Sequence, residues 1–250
     1  MIILKSRAEL DKMRRAGQMV ADVLQMLRER IRPGITTLEL DAIAEQQCAR
    51  WKVKPAFKGY GGFPFTICAS LNEQVVHGFP NEKPLVEGDI LSIDFGLISE
   101  GFYGDHAITF PVGTIDAQSQ RLLDVTRASL DHGIAAAQAN GFLSDISNAV
   151  QASVEQAGFS VVREFVGHGI GRSLHEEPQI PNYGSPGRGP RLRPGMTLAI
   201  EPMVNVGKPG IKILEDGWTA VTVDGSRSAH FEHSIAITEN GPEILSRLDD

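Results

Sequence analysis

Two carboxylates sit where buried strands should carry none. In Gly88-Asp89-Ile90-Leu91-Ser92-Ile93-Asp94-Phe95-Gly96, Asp94 interrupts a run with the composition of a buried strand. The run Gly195-Met196-Thr197-Leu198-Ala199-Ile200-Glu201-Pro202-Met203 repeats the pattern 107 residues later, with Glu201 on Asp94 and Gly195 on Gly88. A buried carboxylate is costly unless something neutralises it. Two at matched positions point to one shared site.

The same offset links helical segments. Ser6 and Glu9 form a capping-box pattern, and Leu10, Met13, Gly17, Val20, Leu24, Leu27 and Ile31 follow on one helical stripe until Pro33-Gly34. Thr36 with Glu39 opens a second helix to about residue 51, with Leu40, Ile43, Ala44, Cys48 and Trp51 on its buried face. In the second half, Leu122, Leu123, Thr126, Leu130, Ile134 and Ala137 make a stripe that breaks at Asn140-Gly141, and Gly141 stands 107 residues beyond Gly34. Ser144 then takes the place of Thr37 before a helical pattern through Ile146, Ala149, Val150, Val154 and Ala157, closed by Gly158. A constant offset over these landmarks predicts an internal duplication, approximately 6–110 and 114–240, facing each other about a pseudo-twofold axis. No linker or low-complexity tract divides the halves, so 1–250 is expected to be a single catalytic domain. Strands are expected at Phe63 to Ser70, Ile90 to Phe95, His106 to Val112, Ser160 to Val166, Thr197 to Val204, Trp218 to Val223 and Phe231 to Thr238, with Leu248-Asp249-Asp250 frayed.

Charge and cysteine content exclude several functions. A formal charge of −7 without a basic stripe argues against nucleic acid as main partner. Cys48 and Cys68 are too few and too far apart for a disulfide framework, so free thiols are expected. The N-terminus becomes charged too early for a signal-peptide core, and no apolar run has spanning length, so the expectation is a cytoplasmic protein with no membrane contact.

The chemistry begins at the turn Ser99-Glu100-Gly101, which brings Asp105 back close to opposite Asp94. Facing side chains lie roughly 5 Å apart, so two carboxylates there repel unless divalent cations lie between them. The competing reading, a loop-capping Asp105 and a lysine partner for Asp94, is weakened by the scarcity of basic residues nearby. His168 is flanked by glycines in Phe165-Val166-Gly167-His168-Gly169-Ile170-Gly171, which lets backbone approach a ligand and leaves the imidazole free. Glu232 heads another apolar strand. Four carboxylates and one histidine suit two divalent metal ions of the hard to borderline kind, Mn, Fe, Co or Zn.

Asn72-Glu73-Gln74-Val75-Val76-His77-Gly78, Asp94 with Asp105, His168-Gly169-Ile170-Gly171 through His175-Glu176-Glu177-Pro178, Glu201-Pro202-Met203 and Glu232-His233, in this order, resemble the type I methionine aminopeptidases of peptidase family M24. The resemblance implies an α/β (α+β) pita-bread fold, two pseudosymmetric halves with a central curved antiparallel sheet covered by helices. It implies that Asp105 and Glu232 bridge two metals, that Asp94 holds one, and that His168 and Glu201 hold the other. Glu201 is the implied general base, and His77 and His175 would flank the peptide. Tyr60, Phe63, Cys68, Leu174 and Trp218 match the methionine pocket, although Phe63 and Trp218 also suit an ordinary core. Leu174 stands where many relatives carry an aromatic residue, and Phe57 replaces a small residue found in some, which bears on pocket tightness.

The implied activity is removal of initiator methionine from peptides and nascent chains whose second residue is small. Implied with it are a monomer and a transient ribosome contact. Two alternatives remain: an X-Pro aminopeptidase or prolidase of the same fold, which usually has an added N-terminal domain, and a non-catalytic relative, which would have lost ligands that are all present here.

Overall fold

Both capping boxes of the first half form. In the computed structural model, which describes residues 1–247 and leaves the expected fraying of Leu248-Asp249-Asp250 outside the described residues, Ser6 and Glu9 cap α1 (Arg7–Arg28), and Thr36 and Glu39 cap α2 (Thr37–Trp51). Ile31, the last position of the expected stripe, lies past the end of α1. Four strands follow: β1 (Lys54–Pro55), β2 (Ile67–Leu71), β3 (Gln74–Val76) and β4 (Ile90–Ser99). Strand β5 (Phe102–Pro111) then leads to α3 (Ala117–Ala136) and α4 (Leu143–Gln156). Asp145 accepts the Phe142 N–H at the start of α4 at 2.8 Å, so the helix begins one residue before Ser144.

The second half adds β6 (Ser160–Val161), β7 (Gly167–Gly169), β8 (Glu176–Ile180), β9 (Thr197–Ile200), β10 (Met203–Asn205) and β11 (Ile211–Ile213). It ends with β12 (Ala220–Thr222), β13 (Ser228–His230), β14 (Glu232–Thr238) and β15 (Gly241–Ile244). The main sheet is antiparallel and curled, in the order β1-β4-β5-β14-β9-β7-β8, with β2 on β4 and β15 on β14. Strands β4 and β9, which carry the repeated pattern, flank the central pair β5 and β14. This is the pita-bread arrangement.

Strand alternation decides which face meets the helices. Leu91, Ile93, Phe95 and Leu97 pack with Val20, Leu24, Leu40 and Ala44 of the first two helices. Leu198, Ile200, Ile235 and Ile237 pack with Leu122, Leu130, Ile146 and Val154 of the other two. Gly104 lets α1 lie directly on β5, since a Cβ there would stand 2.7 Å from the Ala16 carbonyl. The opposite face of the sheet is left for the functional residues.

Several strand expectations change. The stretch Thr197 to Val204 is two strands, because Pro202 lacks the N–H that would continue the ladder, and Glu201 falls in the break rather than within a strand. Ser160 to Val166 shortens to β6, and Phe63 to Ser70 begins only at Ile67, beyond Pro64. Asp105 is not opposite Asp94: Glu100-Gly101 is the two-residue turn, so Asp94 pairs with Ala107 and Asp105 with Gly96. The two acids are diagonal neighbours on one face, still within reach of each other.

Candidate metal centre

Register alone gathers five donors. Asp94 on β4 and Asp105 on β5 share a face, and Glu232, the first residue of β14, pairs with Ala107 on that same face. His168, the middle residue of β7, pairs with Ala199 of β9, and Glu201 lies two residues beyond Ala199. Side chains fix these positions by bonding to the backbone carbonyls: Ser234 Oγ donates to the Asp105 carbonyl at 2.8 Å, Asn182 Nδ2 donates to the Glu201 carbonyl at 3.0 Å, and His106 Nδ1 pairs with the Glu232 carbonyl.

Ligand atoms of Asp105, His168 and Glu232 lie within 4.8 Å of one another. His168 Nε2 stands 3.5 Å from Glu201 Oε1 and 3.9 Å from Asp105 Oδ2. Its Nδ1 donates to the Gly169 carbonyl at 2.9 Å, which leaves the Nε2 lone pair facing the acids. Burial, reinforced by the positive form of His175, lowers the imidazole to about 4, so it is neutral near physiological pH.

The acids lack a protein counter-charge. Among the described residues no lysine or arginine forms an ion pair with Asp94, Asp105, Glu201 or Glu232; the cation-capable neighbours are His168 and His230. Asp94 Oδ1, Asp105 Oδ1 and Glu232 Oε1 are buried without a hydrogen-bond partner. Burial pushes Asp94 up to about 7 and Glu201 up to about 8. Burial, and then the neighbouring carboxylates, push Asp105 and Glu232 well above the ordinary range. Orphaned oxygens, a neutral imidazole and mutually repelling acids are what a divalent cation satisfies, so the residues present fit a metal site.

The donors line a cavity of about 200 Å³, which all the residues expected to bind substrate also line. Phe63 is its buried aromatic anchor, edge-on to Trp218 at 5.2 Å and to Phe79 at 5.4 Å between ring centroids. Cys68 pairs with Asp94 in the ladder, and burial raises its thiol well above the usual value, so it serves as an apolar wall. Leu174 is buried beside Phe57 and Phe63. Tyr60 stands at the mouth, its hydroxyl 2.7 Å from His175 Nδ1.

His77 and His175 both reach this cavity. His77 follows β3 with φ +60°, a left-handed conformation uncommon for a non-glycine residue, and its ring stands edge-on to Phe165 at 5.2 Å. Gly78 permits that turn against β2, since a Cβ there would lie 2.4 Å from the Ala69 carbonyl. Burial, then the positive forms of His230 and His175, lower His77 to about 4. His175 stacks edge-on to His168 at 4.4 Å, and its pKa is also lowered by burial.

Sequence reasoning missed His230, Phe165 and Met203, which line the same cavity. For His230 a signal existed in its place two residues before Glu232, but β13 is only three residues long and carries no periodicity.

Carboxylate and imidazole donors that fit a divalent metal, lining a largely apolar cavity on a curled sheet, are the parts a metal-dependent hydrolase requires. The model of metallopeptidase family M24 matches residues 11–239, and the chain belongs to that family. Within it the chain stands with the methionine aminopeptidases. It is 54% identical to a methionine aminopeptidase of Clostridium perfringens over 248 residues, 99% of this chain and 100% of that one. It is likewise 54% identical to methionine aminopeptidase 1 of Bacillus subtilis, again over 99% and 100% of the two chains. The crystal structure of the Thermotoga maritima methionine aminopeptidase superposes with a TM-score of 0.97 at 52% identity, covering 99% of this chain and 100% of that one. The prolidase of Pyrococcus horikoshii shares the fold, with a TM-score of 0.79 at 20% identity and 65% of that chain covered.

Proposed function

We propose that this enzyme removes the N-terminal methionine from peptides and nascent chains with a small second residue, as a cytoplasmic monomer built from an internally duplicated catalytic domain. A transient ribosome contact belongs to the same reading, because the substrates are chains still being made. The observation that carries it is the convergence of five donors, three with orphaned buried oxygens, on one cavity of about 200 Å³ that is otherwise walled largely by apolar side chains. Among the described residues no helix is long and apolar enough to cross a membrane.

Asp105 and Glu232, from the two central strands, would hold a pair of divalent ions together with Asp94, His168 and Glu201. When bound, such ions, Co, Mn, Fe or Zn, supply an activated water and polarise the scissile carbonyl. Glu201 moves the proton. Its carboxylate, ionised when divalent metal is bound, can take a proton and return it to the leaving amine. His77 and His175, both lowered by burial, act as neutral donors to the substrate carbonyl and to the charge that develops on it. Tyr60 orients His175 through its hydroxyl. Phe63, Cys68, Leu174 and Trp218 enclose the methionine side chain, whose thioether favours aromatic and sulfur contacts.

Glu201→Ala tests the assignment. The variant should keep its fold and lose about 100-fold or more in release of methionine from Met-Ala-Ser, the range of a general base. Near-parental turnover would remove Glu201 from that role.

A further inference from the structure

Four of the five metal donors sit on hydrogen-bonded strands, whereas Glu201 lies in the break between β9 and β10. No ladder fixes its side chain, and the terminal torsion of a glutamate is broad. A neighbouring group must therefore set the orientation of its carboxylate.

His230 is placed to do so. It is 1% exposed, and its backbone is clamped by Thr109, whose hydroxyl accepts the His230 N–H at 2.9 Å and donates to the His230 carbonyl at 2.8 Å. Its Nε2, by contrast, is buried with no hydrogen-bond partner. That nitrogen lies 3.5 Å from Glu201 Oε2, while the other oxygen, Oε1, lies 3.5 Å from His168 Nε2. One carboxylate thus stands between two imidazoles, one facing each oxygen. The two rings differ in what remains free: His168 has committed Nδ1 to a carbonyl and turns a lone pair toward the acids. A second lone pair aimed at the same carboxylate would repel it. A buried N–H there would be satisfied by it.

We propose that His230 is a positioning residue for the reaction: in its Nε2–H form it donates to Glu201 Oε2, fixing the carboxylate so that Oε1 faces His168 and the metal donors. The inference rests on the metallo-aminopeptidase reading given above.

The test compares His230→Leu, which removes the donor, with His230→Gln, whose amide places an N–H near the same point. His230→Leu should lower kcat on Met-Ala-Ser about 10- to 100-fold with KM and Mn(II) affinity by calorimetry changed less than about threefold. His230→Gln should return kcat to within about fivefold of the parent. Independently of activity, the ¹⁵N spectrum of zinc-loaded parent protein, in which Glu201 is ionised, should show His230 protonated at Nε2. Parental kcat in His230→Leu, no rescue by His230→Gln, a proton on Nδ1 alone, or loss of a metal equivalent in both variants would each overturn the proposal. The last result would make His230 a ligand. A parent unable to release methionine would instead refute the functional reading, with the tautomer still deciding the role of His230. Should His230→Leu fail to fold, the tautomer and His230→Gln decide it.

Discussion

Stripping divalent metal should make this protein less stable as pH rises from mild acid toward neutrality, the reverse of ordinary acid unfolding. In the metal-free fold, burial raises Asp94 to about 7 and Glu201 to about 8, and raises Asp105 and Glu232 well above their usual range. In the unfolded chain such groups titrate near 4. The folded state therefore holds the extra protons, and the stability they confer is complete below the unfolded value and lost as pH rises through the folded one. From about pH 5.5 to about pH 8, at ~1.4 kcal/mol per pH unit for each group up to its own value, Asp94 and Glu201 together cost on the order of 5–6 kcal/mol. For a chain of this size that is a fall in Tm of roughly 10 °C. With metal bound, the acids are ionised in both states, so the slope flattens, and metal at a thousandfold over its Kd adds ~4 kcal/mol. Calorimetric melts of chelator-dialysed protein at both pH values, with and without Mn(II), measure this directly. Equal stability of the metal-free protein at the two pH values, or a metal-induced shift of the same size at both, would refute the reasoning.

Asp105→Asn should bind less metal than the parent by elemental analysis, since the variant loses one of the two central-strand carboxylates; an unchanged metal content would exclude Asp105 as a bridging ligand. Lys5→Met should destabilise by about 3 kcal/mol, because it removes the buried cation paired with Glu176 and leaves that carboxylate only the Arg172 and Ser173 N–H groups, at 2.7 and 3.3 Å. As Glu176 follows His175 directly, KM should rise as well, and an unchanged Tm would show that the pair is not a brace for that loop.

Local rules made the helices legible. Ser6 with Glu9 and Thr36 with Glu39 are caps that need only four residues to form, and the apolar stripes behind them are long. The donors were legible for a different reason: an acid in an apolar run stands out wherever its partners are. Register was not. Whether Asp105 meets Asp94 directly or diagonally depends on the turn taken at Glu100-Gly101, and moving the turn changes every pair in the hairpin. The break at Glu201 follows from Pro202, which was visible in sequence but outweighed by the repeated pattern around it. His230 could not be singled out, because its meaning is its distance to Glu201, which a short strand and a chain reversal create. The left-handed backbone of His77 is likewise set by the close approach of Gly78 to Ala69, a tertiary contact with no local signal.

The central claim is that these five side chains hold divalent metal and that methionine release depends on it. Its most direct test is to strip the protein of metal, reload it with Mn, Fe(II), Co and Zn in separate samples, and follow release of the first residue from Met-Ala-Ser and from an Xaa-Pro peptide. The account predicts no release by stripped protein, and methionine release restored by up to two equivalents of at least one of these ions, with the Xaa-Pro peptide left intact. Full activity in stripped protein, or cleavage confined to Xaa-Pro, would contradict it.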